Sequence, residues 1–103
     1  MKILIVEGLS VSSLLIVGAD HLGVIIDKLT SVGFDEVLHL NGRKGQMVKK
    51  DIPENISCIL VLTDFVNHNL STVIKKRAKK QSIPVYYAKR SWSSIHRVLE
   101  GVI

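Results

Sequence analysis

The chain has little cysteine and lacks the short motifs that mark several classes of enzyme. Its only cysteine, Cys58, lies inside the apolar run ISCILVL, where a small buried thiol is a better expectation than a nucleophile or a metal ligand. The sequence contains no Cys/His spacing of a zinc site, no G-x-S-x-G elbow and no complete P-loop. These absences exclude a disulfide framework and favour a binding domain over an enzyme.

Internal repeats, low-complexity segments and interdomain linkers are also absent. The N-terminal stretch MKILIVEGLSVSSLLIVGADHLGVII is apolar, but Glu7, Asp20 and His21 interrupt it and no small-residue cleavage site follows a basic start. We therefore expect a cytoplasmic protein without a membrane partner. With 103 residues, 47% of them hydrophobic and 22% charged, the chain should fold as a single domain over residues 1–103 that buries roughly 65% of its unfolded surface.

Acidic residues are missing from one third of the chain. Residues 65–99 carry eight Lys/Arg and no Asp or Glu, whereas residues 1–64 carry six Lys/Arg against eight acids. The formal net charge of +5 therefore belongs to the C-terminal third. A basic segment of this kind favours an anionic partner.

Short apolar runs are abundant, and each ends in polar or turn-forming residues before a stretch with helical spacing. The runs are SLLIVGAD, DEVLHLNG, CILVLTDF and PVYYAKRS. Continuous apolar runs indicate strands covered on both faces. We predict an α/β fold: a small Rossmann-like or flavodoxin-like three-layer sandwich with a mainly parallel sheet of four to five strands. Residues 1–10 form an N-terminal extension or an extra edge strand, and covering that edge would produce a homodimer.

Helices are predicted at about 20–32, 68–81 and 92–100, with a weaker one near 45–51. Asp20 is a candidate cap for the first helix and Gly33 a candidate end. In the second, apolar side chains recur at i, i+3, i+4 and i+8, namely Leu70, Val73, Ile74 and Ala78. The outward face is then strongly basic and carries Thr72, Lys75, Lys76, Lys79 and Lys80.

Polar clusters follow all four predicted strands. In open parallel sheets, ligands bind beyond the carboxyl ends of the strands, near a switch in strand order. The candidate ligand- or phosphate-binding residues at this edge are Gly18, Asp20, His21, Arg43, Lys44, Thr63, Asp64, Asn67, His68, Asn69, Lys89, Arg90, Ser91, Trp92 and Ser93.

The first three clusters each allow a structural interpretation beside the functional one. GADHLG could hold a phosphate on its backbone N–H groups, or it could be ordinary turn chemistry. NGRK is a favoured turn sequence, whose two cations are phosphate contacts or surface charges. TDFVNHN has more polar residues than one helix cap requires, so Asn67 or Asn69 is expected to cap and the others need another role.

The fourth cluster, KRSWSS, places two cations, an aromatic ring and three hydroxyls at a helix start. This mixture suits phosphate binding with Trp92 stacked on a base. The alternative has Trp92 as a core or interface anchor, Ser91 as the N-cap, and Lys89 and Arg90 in solvent. We favour the structural role for Trp92 alone and binding for the stretch as a whole.

The motifs IVGADHLG, NGRK, VLTDFVNHN and KRSWSS, in this order and spacing, resemble the bacterial domain of unknown function 2325 family over roughly residues 13–98. Similar sequences usually have a second Gly where this chain has Ala19. The resemblance implies little about function, but some relatives have been linked to haem, which makes haem a possible ligand. Haem would need a histidine axial ligand, and the spacing singles out none. We therefore name no cofactor.

The expected function is non-catalytic and regulatory, with recognition of phosphate groups. Nucleic acid is the first choice of partner, bound through the basic C-terminal third. Its expected contacts are Lys75, Lys76, Lys79, Lys80 and Arg97. A small nucleotide in the strand-end crevice is the second choice, ahead of haem. The third is a hydrolase that would use Asp20, Asp64, His21 and His68 at the same edge.

Overall fold

A computed structural model describes residues 13–41 and 52–102 of the chain. Three sequence predictions lie outside this range: the strand or extension of residues 1–10, the cations Arg43 and Lys44, and the short helix at 45–51.

The described residues form one four-stranded sheet in which every neighbouring pair is parallel. Its strands are β1 (Ser13–Val17), β2 (Glu36–Leu40), β3 (Cys58–Leu62) and β4 (Val85–Ala88). They lie in the order β2-β1-β3-β4. Every residue of the two central strands, β1 and β3, is buried, which explains why these strands are continuous apolar runs. The predicted parallel α/β sheet is confirmed.

The helices are α1 (Val24–Ser31), α2 (His68–Lys80) and α3 (Trp92–Leu99). The second and third agree closely with the prediction, but the first begins four residues later than expected. Its N-cap is Gly23, without a side-chain cap, so the prediction that Asp20 caps α1 was wrong. The backbone has positive φ at Gly18, Ala19 and Gly23, and this keeps the segment after β1 out of the helical conformation.

Helices cover both faces of the sheet and create two hydrophobic cores. On one face, Ile16 and Leu60 pack with Ile25 of α1 and Ile95 of α3. On the other face, Leu15 and Val61 belong to the core that contains Leu70, Ile74 and Ala78 of α2. Alternate residues of each central strand therefore face opposite helix layers, which makes the fold the predicted three-layer sandwich.

The strand order locates the crevice that this fold offers to ligands. Helix α1 connects β1 to β2 on one side, and α2 connects β3 to β4 on the other, so the order reverses between β1 and β3. Ligands of open parallel sheets bind beyond the carboxyl ends of the two strands at such a switch point. In the part of the chain that the structure describes, no helix is long and apolar enough to cross a membrane.

Candidate functional site

A cleft of about 480 Å³ lies at the switch point and is lined by Ala19, Asp20, His21, Phe65 and Arg90. The first three follow β1, Phe65 follows β3, and Arg90 follows β4. The structure therefore brings together residues from three of the predicted strand-end clusters. Phe65 is 53% exposed, so an aromatic surface adjoins the polar groups of this cleft.

Backbone contacts hold the floor of the cleft tightly. The N–H of Gly18 donates to the Leu40 carbonyl and the N–H of Ala19 to the Phe65 carbonyl, each at 2.9 Å. A Cβ atom on Gly18 would lie only 2.9 Å from Cβ of Leu62. Gly18, a predicted ligand contact, is buried and serves the close packing of the loop after β1 against the end of β3.

Arg90 connects the loops on both sides of the cleft. Its Nε and Nη2 atoms donate to the His21 carbonyl oxygen at 2.9 and 2.6 Å, and its backbone N–H donates to Oδ1 of Asp64 at 3.0 Å. The guanidinium group and the Asp64 carboxylate thus have partners inside the protein. The contact with the His21 carbonyl uses two of the five guanidinium N–H donors and holds the side chain in place beside the cleft.

His39 also contacts the loop after β1, which contributes to the cleft. Its Nε2 lies 2.9 Å from the Gly18 carbonyl oxygen and 3.0 Å from that of Ala19. Because both partners are acceptors, Nε2 must carry the proton. His39 therefore holds the loop after β1 in place.

Several other strand-end residues have local structural roles. Asn67 caps α2 by accepting from the Leu70 N–H at 3.1 Å, and Ser91 caps α3 by accepting from the Ser94 N–H at 3.3 Å. Trp92 is partly buried against the core of the α1 and α3 layer. The Lys28 ammonium lies over its ring, 5.8 Å from the ring centroid, so one face of the indole is already covered.

A second concave surface, the α2 groove, runs along the outer side of α2. It has a volume of about 520 Å³ and is lined by His68, Ser71, Thr72, Lys75, Lys76, Lys79 and Tyr87. The six helical residues recur at three- and four-residue intervals and therefore form one stripe on the helix. Tyr87 of the neighbouring strand β4 completes the wall and is 42% exposed.

The α2 groove is strongly cationic. Lys75, Lys76 and Lys79 are exposed, as the helical pattern predicted. Because residues 65–99 contain no Asp or Glu, neither α2 nor β4 supplies a carboxylate that could neutralise these lysines.

The remaining predicted cations are distributed around the molecule. Lys80 is exposed at the end of α2 but is not part of the groove wall. Arg97 belongs to α3, which packs on the opposite face of the sheet. Lys89 is exposed after β4. The structure thus gathers Lys75, Lys76 and Lys79 on one surface and separates them from Arg97.

The acidic and histidine residues predicted for a hydrolase lie at or near the two concave surfaces. Asp20 and His21 line the cleft, Asp64 holds the backbone of Arg90, and His68 lies in the α2 groove. Across residues 13–41 and 52–102, no three His, Cys, Asp or Glu side chains are grouped so that they could bind a metal ion.

The other predicted contacts lie near these surfaces. Thr63 donates its backbone N–H to the Ala88 carbonyl at 2.9 Å, which joins the ends of β3 and β4. Asn69 and Ser93 are exposed in the first turns of α2 and α3.

Five residues that line the two concave surfaces were not among the predicted site residues. Ala19 and Phe65 are in the cleft, whereas Ser71, Thr72 and Tyr87 are in the α2 groove. The run PVYYAK held a signal for Tyr87. Adjacent residues of a strand point to opposite faces of the sheet, so Tyr86 and Tyr87 had to lie on different faces.

The described residues form a small α/β domain whose strand order, β2-β1-β3-β4, agrees with that of the flavodoxin-like sheets. The chain belongs to the family described as "Uncharacterized protein conserved in bacteria (DUF2325)", whose model matches residues 13–102. This match confirms the resemblance seen in the motifs. No curated protein and no solved structure matches the chain.

Proposed function

We propose that this chain is a non-catalytic nucleic-acid-binding domain that contacts phosphates through the α2 groove. The observation that carries the proposal is the stripe of Lys75, Lys76 and Lys79 along a concave surface to which the surrounding sequence contributes no acid. Lysine ammonium groups bind phosphates as point charges, and phosphate neutralisation supplies most of the non-specific affinity for nucleic acids.

The groove suits phosphates better than the cleft does because its cations face solvent. At the cleft, the Arg90 guanidinium already donates two hydrogen bonds to the His21 carbonyl. The Ser71 hydroxyl lines the groove beside the lysines and can donate a hydrogen bond to a phosphate oxygen. The Thr72 hydroxyl donates its proton to the His68 carbonyl at 3.1 Å, so it is not counted as a phosphate contact.

The proposal predicts a salt-dependent interaction of modest strength. Three lysines that each neutralise one phosphate give a slope of log Kobs against log salt of about −2 for a single strand. Fluorescence anisotropy with labelled oligonucleotides at several salt concentrations measures this slope. We expect the triple variant Lys75→Gln/Lys76→Gln/Lys79→Gln to lose both the binding and the salt dependence, because glutamine preserves helix propensity while removing the charges.

The control variant is Lys89→Gln/Arg97→Gln, which removes two positive charges that lie outside the groove. It should reduce binding far less than the triple variant. Equal losses from the two variants would mean that overall charge, rather than the α2 groove, attracts the oligonucleotide. Unchanged binding and an unchanged salt slope in the triple variant would refute the proposal.

A small nucleotide in the switch-point cleft is the second candidate. Phe65, half exposed in the cleft that Arg90 also lines, favours it because an aromatic base could stack there while a phosphate meets the Arg90 guanidinium. Mononucleotides added to the same titration distinguish the two functions. Mononucleotide binding that persists in the triple lysine variant and is lost in Arg90→Lys would support the cleft.

A further inference from the structure

We propose that the α2 groove selects single-stranded nucleic acid, with Tyr87 as the platform on which a base stacks. This inference rests on the proposed function and specifies the ligand of the same surface. It is carried by the position of one exposed aromatic ring within the lysine-lined groove.

Tyr87 occupies this position because of the strand on which it lies. Strand β4 pairs only with β3 in the described sheet, and Tyr87 is in register with Val61. Val85, two residues earlier, packs against the core beneath α2, whereas Tyr86 and Ala88 belong to the opposite core. Side-chain alternation therefore puts Tyr87 on the α2 side of the sheet, where it borders the groove.

An aromatic ring beside cations distinguishes single strands from duplexes. In a duplex, the faces of each base are covered by its neighbours in the stack, so a side chain on the protein surface meets mainly phosphates and groove edges. An unpaired strand can turn a base outward onto an aromatic ring while its phosphates stay near the lysines.

The lysine stripe is short. Lys75 and Lys79 are one helical turn apart, about 6 Å along the helix axis at 1.5 Å per residue. Even at the ~3.4 Å rise per phosphate along one strand of a duplex, this length covers no more than about three phosphates. A short contact of this size leaves one aromatic ring able to contribute a large share of the binding.

Trp92, which the sequence offered as a stacking residue but for which a structural role was favoured, is less suited to stacking. Its ring packs partly into the core and carries Lys28 over one face. Tyr87 belongs to the groove wall together with the lysines, so stacking and phosphate contacts can occur on the same surface.

The test is anisotropy titration of the full chain with four labelled probes of equal length: oligothymidylate, a mixed-sequence single strand, its duplex, and a single strand of abasic sites. The abasic strand keeps the phosphates and removes the bases. We expect the two base-containing single strands to bind more tightly than the duplex and the abasic strand. Tyr87→Leu should weaken single-strand binding by about 5- to 150-fold, the range expected for one stacked base, and leave duplex binding unchanged.

Tyr87→Phe is the conservative variant, and it should retain single-strand binding because the ring rather than the hydroxyl stacks. Tyr86→Phe, a change on the opposite face of the same strand, should have no effect. Circular dichroism of each variant checks that the overall fold is retained, and persistent duplex binding by Tyr87→Leu would show that the groove is intact.

Two further outcomes separate failure of this inference from failure of the proposed function. If all four probes bind equally, depend on the three lysines and ignore Tyr87, the groove binds phosphate chains without stacking and the single-strand inference is overturned. If the triple lysine variant binds every probe like the unaltered protein, or if no probe binds at low salt, both the proposed function and the inference fall.

Discussion

The loop after β1 depends on individual residues that accept unusual backbone conformations. Gly18 has φ 127° and lies against the end of β3, where an added Cβ would be 2.9 Å from Cβ of Leu62 and 3.1 Å from its carbonyl oxygen. Ala19 follows with φ 65°. The left-handed conformation costs an alanine about 1–2 kcal/mol. This chain therefore retains some backbone strain directly beneath the cleft.

Gly18 and Gly23 provide a matched pair for testing these two effects. Gly18→Ala combines a positive φ with steric overlap and should lower the free energy of unfolding by about 2–4 kcal/mol. Gly23→Ala, at φ 55° and ψ −131° with no atom within 4 Å of the new Cβ, should cost less, because only backbone strain of about 1–3 kcal/mol opposes it. Urea unfolding of both variants measures the difference, and similar losses would contradict close packing as the reason for glycine at position 18.

At the level of the secondary-structure element, α2 combines structural and candidate binding roles on one helix. Leu70, Ile74 and Ala78 face the core, while the lysines occupy the opposite stripe. Asn67 starts the helix by accepting from the Leu70 N–H. A change at Asn67 can therefore weaken ligand binding indirectly, by disordering the first turn and His68 with it.

Substitutions of the two asparagines at the start of α2, Asn67 and Asn69, test which of them caps the helix. Asn67→Ala should lower the free energy of unfolding by about 1 kcal/mol, because it removes the cap. Asn69→Ala, an exposed change in the first turn, should alter it by less than about 0.5 kcal/mol. Thermal or urea unfolding checks this expectation. A destabilisation at Asn69 as large as that at Asn67 would be inconsistent with the capping role.

At the scale of the whole molecule, stability depends on two cores that share the central strands. Cys58 begins β3 and is 2% exposed in the core of the α1 and α3 layer. Burial raises the pKa of its thiol from 9.0 to about 11, because a thiolate loses hydration inside the fold. This burial agrees with the sequence interpretation of Cys58 as a structural residue.

Cys58 should make folding stability depend on alkaline pH. Between about pH 9 and 11 the unfolded chain loses the thiol proton while the folded chain keeps it, so the free energy of unfolding falls as pH rises. Below pH 9 this contribution is fully present. Chemical denaturation from pH 8 to 11 should show a steeper decline for the unaltered protein than for Cys58→Ala, in which other groups titrate unchanged. Parallel declines would disprove the assignment.

The sequence by itself determined where the main strands and helices lie and which face of α2 is buried. Continuous apolar runs identified β1 and β3, and the helical spacing of α2 separated its buried residues from its lysines, because both patterns are local consequences of strand and helix periodicity. Only the tertiary structure decided the strand order, the contact of Arg90 with the His21 carbonyl, and the position of Tyr87 beside the lysines of α2. These depend on how distant segments pair and on which sheet face a side chain occupies after folding. The prediction that Asp20 caps α1 was wrong for the same reason. The loop after β1 is hydrogen-bonded to the segment after β3, and α1 begins only at Val24.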